Sequence, residues 1–148
     1  MKIVVDTNIV FSAILNSSGH IGRILIYPRQ RFEFYSCDFL KEEIKNHYDK
    51  LKRLTALDDE PLNELINLCT KRIQFINHSI LPPKDWNFAA NLLAKSDLKD
   101  APFLALSKHL KARLWTGDKQ LHRSLAKQGF QHYTIATSSL LNRIKKSK

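Results

Sequence analysis

Four carboxylates, Asp6, Glu43, Asp100 and Asp118, are spaced so that strands and helices can bring them to one end of a single sheet. Asp6 closes the apolar run KIVVD, and Asp118 follows a second short apolar run in RLWTGD. The ends of strands are where open α/β folds build their sites. Two carboxylates about 4 Å apart repel by about 4 kcal/mol at an effective dielectric of about 20. Four together repel by several times that, a large share of a domain's ~5–15 kcal/mol of stability. Protonation relieves the repulsion, and so does a divalent cation. Oxygen donors without thiolates or imidazoles select Mg²⁺ or Mn²⁺ rather than zinc. No HExxH or Cys-rich zinc spacing occurs, and the six histidines show no ligand spacing, with surface roles expected for most of them. A cation held by carboxylates polarises a phosphate oxygen and acidifies a water, which is the chemistry of phosphodiester hydrolysis without a covalent enzyme intermediate.

Each acid alone also has an ordinary structural reading. Asp6 and Asp118 suit helix N-caps. Asp100 falls in a first helical turn, where the macrodipole favours negative charge. Glu43 suits a solvated helix face, as its neighbour Glu42 does. Yet Glu43 lies three residues after Leu40 and four before His47, so it flanks the apolar stripe rather than pointing straight to water. Glu42 takes its place if the helix register is off by one.

The background is basic: 24 Lys and Arg stand against 14 acids, a formal net charge of +10 over 148 residues. That excess favours a polyanionic partner such as nucleic acid. The length predicts a single domain over 1–148, and 43% hydrophobic residues are enough for a core. No apolar run approaches the roughly 18 residues of a membrane span. Asp6 interrupts the N-terminal apolar stretch too early for a signal peptide. Cys37 and Cys69 are isolated and read as reduced core thiols, so a cytoplasmic setting without membrane contact is expected.

The elements that must position the acids follow from the pattern. Residues 2–5 form a wholly apolar strand of the kind buried on both faces in parallel sheets. Helices are predicted over 9–15, from 20 to 27 with a stop at Pro28, over 38–51, from about 58 through Cys69, over 84–95, over 100–110 and from 119 to 128 with a stop at Gly129. Thr137 is expected to cap a last helix, ahead of a frayed basic tail from Arg143. Further strands are expected at 32–36, 72–76 and 114–115, with a weak fifth at 133–135. Strands alternating with helices predict an α/β fold, a three-layer α/β/α sandwich around a parallel sheet of four or five strands.

VVDTN at 4–8, LKEEIKNH at 40–47, DLKDAPFLALS at 97–107 and LWTGDKQL at 114–121 together resemble the PIN domain. The resemblance spans essentially the whole chain, and 97–121 is its most specific part. It is strongest to bacterial PIN ribonucleases of the toxin type. The resemblance implies a metal-dependent ribonuclease, commonly homodimeric, that leaves a 5′-phosphate and a 3′-hydroxyl. By position, the family's acids fall on Asp6, Glu43, Asp100 and Asp118, as catalytic and metal-holding residues. Asn8 and Thr116 match polar positions that orient acids or waters, and Asp97 joins the outer shell or caps the next helix. A small antitoxin protein is a partner implied by the family alone.

Lys99, Lys119, Arg123 and Lys45 lie near the acidic end and are expected to meet RNA phosphates. RNA is favoured over DNA because flap-type DNA nucleases carry extra helical elements for which this chain has little room. The main alternative is a non-catalytic PIN-fold module that binds RNA or protein. An aspartyl-phosphate mechanism is disfavoured, because Asn8 stands where haloacid-type phosphatases place a second Asp. A dinucleotide-binding fold is excluded, because no glycine-rich loop follows the first strand.

Overall fold

The structure is a computed structural model that describes residues 1–27, 32–94 and 96–146. The predicted helix stop at Pro28, the predicted helix end at Lys95 and the last two residues of the tail lie outside the described residues. Five strands, β1 (Lys2–Val5), β2 (Glu33–Cys37), β3 (Ile73–Ile76), β4 (Arg113–Trp115) and β5 (Thr134–Ile135), form one sheet in the order β3-β2-β1-β4-β5. Every pairing is parallel. Ile3, Val4 and Val5 are all 0% exposed. Successive strand residues point to opposite faces, so both faces of β1 are covered. Helices flank the sheet and give the expected three-layer arrangement. Helix α7 (Ala101–Leu110) packs on β1, β2 and β4 with α6 (Pro83–Leu92) against it, while α1 (Thr7–Leu15), α2 (His20–Ile26), α4 (Tyr48–Thr55) and α5 (Asp59–Thr70) pack on one another.

The sheet order places a switch point between β1 and β4. The chain moves outward from β1 through β2 to β3, then crosses back to β4 on the other side. In such sheets the crevice outside the carboxyl ends at the switch point is the ordinary place for a site. Val4 aligns with Leu114 and Val5 with Trp115, so the next residues along, Asp6 and Thr116, leave the sheet side by side.

Three sequence expectations change. The helix predicted over 38–51 is two helices, α3 (Asp38–Asn46) and α4, broken at His47. His47 departs from helical geometry, with ψ at 16°, and both its backbone N–H and its ring Nδ1 engage the Glu43 carbonyl. Thr137 begins α9 (Thr137–Lys146) rather than capping it, and its hydroxyl accepts a hydrogen bond from Trp115 Nε1 at 3.0 Å. His122 is no surface histidine: it is half-buried, with both ring nitrogens engaged. Helix α8 (Lys119–Lys127) ends as expected near Gly129, whose φ of +84° suits a residue without Cβ. No single helix among the described residues is long and apolar enough to cross a membrane.

Candidate active site

Asp6 sits at the carboxyl end of β1 and is 3% exposed. It is the N-cap of α1, with Oδ1 accepting from Ile9 N at 2.9 Å. The Asn8 backbone N–H and the Thr116 hydroxyl also donate to its carboxylate. Burial is the largest influence on this group and raises its pKa; the three donors oppose that and Asp118 adds to it. The β-strand beneath is pinned as well, because Ser36 Oγ donates to the Val5 carbonyl at 2.8 Å. Ser36 is a supporting residue that sequence reading missed, since nothing in FYSC distinguishes a buried hydroxyl that binds a neighbouring strand.

Asp118 follows β4 through Thr116 and Gly117. Its Oδ1 caps α8 by accepting from Gln120 N at 3.0 Å and Leu121 N at 3.1 Å. Its own backbone N–H donates to Thr116 Oγ1 at 3.1 Å. Thr116, 1% exposed, therefore bridges the two acids, donating to one and accepting from the backbone of the other. His122 Nε2 lies 2.8 Å from the Thr116 carbonyl, and Nδ1 lies 2.8 Å from Thr134 Oγ1. A carbonyl can only accept, so Nε2 carries the proton and Nδ1 accepts from the Thr134 hydroxyl when the ring is neutral.

Asp100 differs from both. It is the N-cap residue of α7, yet its side chain makes no cap hydrogen bond. Burial, followed by the charges of Asp6, Asp118 and Asp97, pushes its carboxyl up to about 7. Capping therefore accounts for part of Asp6 and Asp118, and for none of Asp100. Asp97 is exposed and caps the short turn Leu98–Asp100, with Oδ1 accepting from Lys99 N at 2.9 Å.

Glu43 belongs to α3 at the β2 side of the crevice. It is half-buried, whereas Glu42 is exposed, so the register favours Glu43. Its Oε2 lies 3.6 Å from His47 Nδ1. The charge acting on Asp6 is that of Asp118, those acting on Asp100 are Asp6, Asp118 and Asp97, and Glu43 is among neither. The structure thus brings Asp6, Asp100 and Asp118 into electrostatic contact, with Asp97 at the rim, and leaves Glu43 to one side.

Among the described residues no group of three or more His, Cys, Asp or Glu side chains is gathered closely enough to hold a metal ion. The donor chemistry nevertheless suits a hard divalent cation. All donors are carboxylate oxygens, burial and the neighbouring like charges push the Asp100 carboxyl up to about 7, and Thr7 Oγ1, next to Asp6 in the chain, is buried without a hydrogen-bond partner.

A cleft of about 770 Å³ opens over Asp97, Asp100 and Asp118, and the outer face of α8 forms its other wall with Gln120, Arg123 and Lys127. Gln128 Nε2 donates to the Leu92 carbonyl at 3.1 Å and ties the end of α8 to the end of α6. Lys127 is a cleft cation that sequence reading missed. Arg123 lines the cleft as expected, whereas Lys99, Lys119 and Lys45 are exposed and outside its lining. Asn8 is exposed and lines a separate groove of about 310 Å³ with Phe11 and His47.

Comparison with known proteins agrees with this architecture. The family model for the PIN domain matches residues 4–138. A chain in the crystal structure of VapBC2 from Rickettsia felis bound to a DNA fragment from their promoter superposes with a TM-score of 0.62 at 16% identity. The match covers 83% of this chain and 92% of that one, and shows a shared fold. No curated protein matches the chain. With three acids at the switch point of a five-stranded parallel sheet and a family model matching almost its full length, this chain belongs to the PIN domain family.

Proposed function

We propose that the chain is a Mg²⁺- or Mn²⁺-dependent endoribonuclease, the toxin member of a bacterial toxin–antitoxin pair held in check by a small antitoxin protein. On this reading it works in the cytoplasm as a single-domain protein, commonly as a homodimer. The observation that carries the reading is Asp100: a half-buried carboxyl with no cap to make, pushed up to about 7 beside Asp6 and Asp118. Structural acids are normally relieved by donors or cations; this one is loaded with like charge, a mark of functional sites. The PIN family and the fold shared with a VapBC2 chain support the nuclease and toxin–antitoxin setting.

Asp6, Asp100 and Asp118 would hold the cation, joined by Glu43 from α3, with Asp97 in an outer role. A bound Mg²⁺ or Mn²⁺ supplies Lewis acidity toward the scissile phosphate and acidifies water. The protein's own part is orientation. Asp6 is fixed by the Ile9 and Asn8 N–H groups and by Thr116, and Asp118 by the first turn of α8. Both helix caps engage Oδ1. With its carboxyl pushed up to about 7, Asp100 exchanges a proton near neutral pH, and a bound cation would favour its release. Arg123 and Lys127 in the cleft would bind the phosphates flanking the cut.

The test is cleavage of single-stranded and structured RNA with Mn²⁺, by the native protein and by Asp6→Asn purified in parallel. The native protein cleaves, EDTA stops it, and Asp6→Asn loses at least about 100-fold. Equal activity of the two proteins refutes the proposal. A second reading, a PIN-fold module that binds RNA or protein without catalysis, has one observation in its favour: the acids are not gathered into a tight cluster. It predicts RNA affinity indifferent to divalent ions.

A further inference from the structure

The net charge of the chain is concentrated in its last third. Residues 101–148 carry ten Lys or Arg and one acid, Asp118, so they supply +9 of the chain's +10. These residues build α7, β4, α8, β5 and α9, and β4 and β5 form one flank of the sheet. Positive charge concentrated in part of a domain is the electrostatic footprint of a bound polyanion.

At the amino end of β4, opposite the acids, a second cavity of about 340 Å³ is lined by Lys108, Lys111, Ala112, Arg113, His132 and Tyr133. No acid lines it. Among the described residues the ion pairs are Glu43–His47, Lys52–Asp59 and Asp85–His109, so none of its cations is neutralised by a carboxylate. Lys108 has a structural role, with Nζ 4.9 Å from the centre of the Phe88 ring. Lys111 is exposed. Arg113 donates from Nε and Nη2 to the Thr134 carbonyl. Burial first, and then the like charge of nearby Arg143, hold it below the usual guanidinium range, so Arg143 adds a second cation to this corner.

The cavity also has an aromatic wall. The rings of His132 and Tyr133 are 4.6 Å apart, and Tyr133 is backed by Phe88 at 5.1 Å and Phe130 at 5.8 Å. Unpaired cations beside a rigid aromatic platform bind unstacked nucleotides, through phosphates and through stacking. Helix α8 joins the two places. It starts at Asp118, carries Arg123 and Lys127 on the cleft, and leads through residues 128–130 to His132. Its nine residues span about 14 Å.

We propose that the Lys111–Arg113–His132–Tyr133 cavity is a second binding site for RNA, holding a single-stranded nucleotide on the same strand whose scissile phosphate lies at the acids. The strand follows α8 from one end of the sheet to the other. The inference rests on RNA being the substrate of the acid site. It goes further by requiring an unpaired stretch beside the cut, and by assigning recognition of that stretch to residues remote from the chemistry.

The test is binding in EDTA, where cleavage is suspended, so it succeeds or fails independently of the nuclease reading. The probe is a fluorescein-labelled oligouridylate long enough to reach both sites, titrated at several salt concentrations. Lys111→Gln weakens binding about threefold or more and lowers the salt slope by about 0.7. His132→Ala weakens it at least about fivefold while leaving the slope unchanged. Lys71→Gln, near the β3 flank, changes neither. A uridine dinucleotide, which reaches one site only, does not distinguish these variants from the native protein in Mn²⁺-dependent cleavage. Native affinity and slope in folded Lys111→Gln and His132→Ala overturn the proposal, as does an equal loss in Lys71→Gln, which would mean diffuse attraction. If the native protein cleaves no RNA but the Lys111 and His132 effects appear, the second site stands and the nuclease reading falls.

Discussion

The Thr116 hydroxyl donates to the carboxylate of Asp6, one residue beyond the last paired positions of β4 and β1. The same oxygen accepts the Asp118 backbone N–H at 3.1 Å. One buried hydroxyl therefore sets the relation between the acid of β1 and the acid of β4. Thr116→Val keeps the shape and removes both bonds. It should cost about 1–3 kcal/mol of stability by leaving buried polar groups unpaired. Mn²⁺-dependent RNA cleavage should fall at least about tenfold, and Thr116→Ser should restore most of both. Urea denaturation and single-turnover cleavage measure the two effects.

Asp100 sets a pH dependence with a definite sign. Its carboxyl lies at about 7 in the folded protein, above the ordinary value for an aspartate, so the folded state binds the proton more tightly than the unfolded chain. The stability linked to this proton is fully present below the unfolded pKa, near 4, and is lost as pH rises through about 7. Metal-free protein should therefore melt higher at pH 5.5 than at pH 8. Asp100→Asn should flatten that difference, and Mn²⁺ should raise Tm more at pH 8 than at pH 5.5. Calorimetry across this range, with and without Mn²⁺, reads all three.

The two adjacent glutamates of α3 should part company. Glu43 is half-buried, while Glu42 is exposed. Glu43→Gln should lower cleavage by at least about tenfold with little loss of stability, and Glu42→Gln should change neither. Parallel cleavage assays on the two variants decide the register.

The His122 ring reaches the acids through Thr116. With Nε2 on the Thr116 carbonyl and Nδ1 on the Thr134 hydroxyl, it fixes the turn that carries Asp118. His122→Ala should lower Tm and reduce kcat with little change in KM, because a positioning group bears on the reacting geometry more than on substrate affinity. His122→Gln, which can keep one donor and one acceptor, should recover part of the kcat. A matching fall in kcat for both variants would show that the ring does more than hold the turn.

Much of this was legible in the sequence. KIVV announces a strand buried on both faces, and Asp6 and Asp118 at strand ends locate the crevice. Helix punctuation by Gly129 was equally plain. What could not be read depends on contacts between distant residues. The break at His47 comes from its ring and backbone sharing the Glu43 carbonyl, inside a pattern that otherwise reads as one amphipathic helix. Thr137 looks like a cap until Trp115, 22 residues earlier, claims its hydroxyl. His122 looks like a surface residue until Thr134, 12 residues away, meets it. The sequence also suggests Lys99, Lys119, Arg123 and Lys45 as phosphate contacts on proximity alone. Of these only Arg123 lines the cleft, because helical phase and loop geometry decide which long side chains face it.

The central claim is that the acids at the β1–β4 crevice hold a divalent cation. A crystal structure with Mn²⁺, phased on its anomalous signal, tests it most directly. The account predicts an anomalous peak bounded by Asp6, Asp100 and Asp118, with Glu43 drawn toward it from α3. Splayed acids with no peak between them, at a Mn²⁺ concentration at which the protein cleaves RNA, would contradict it.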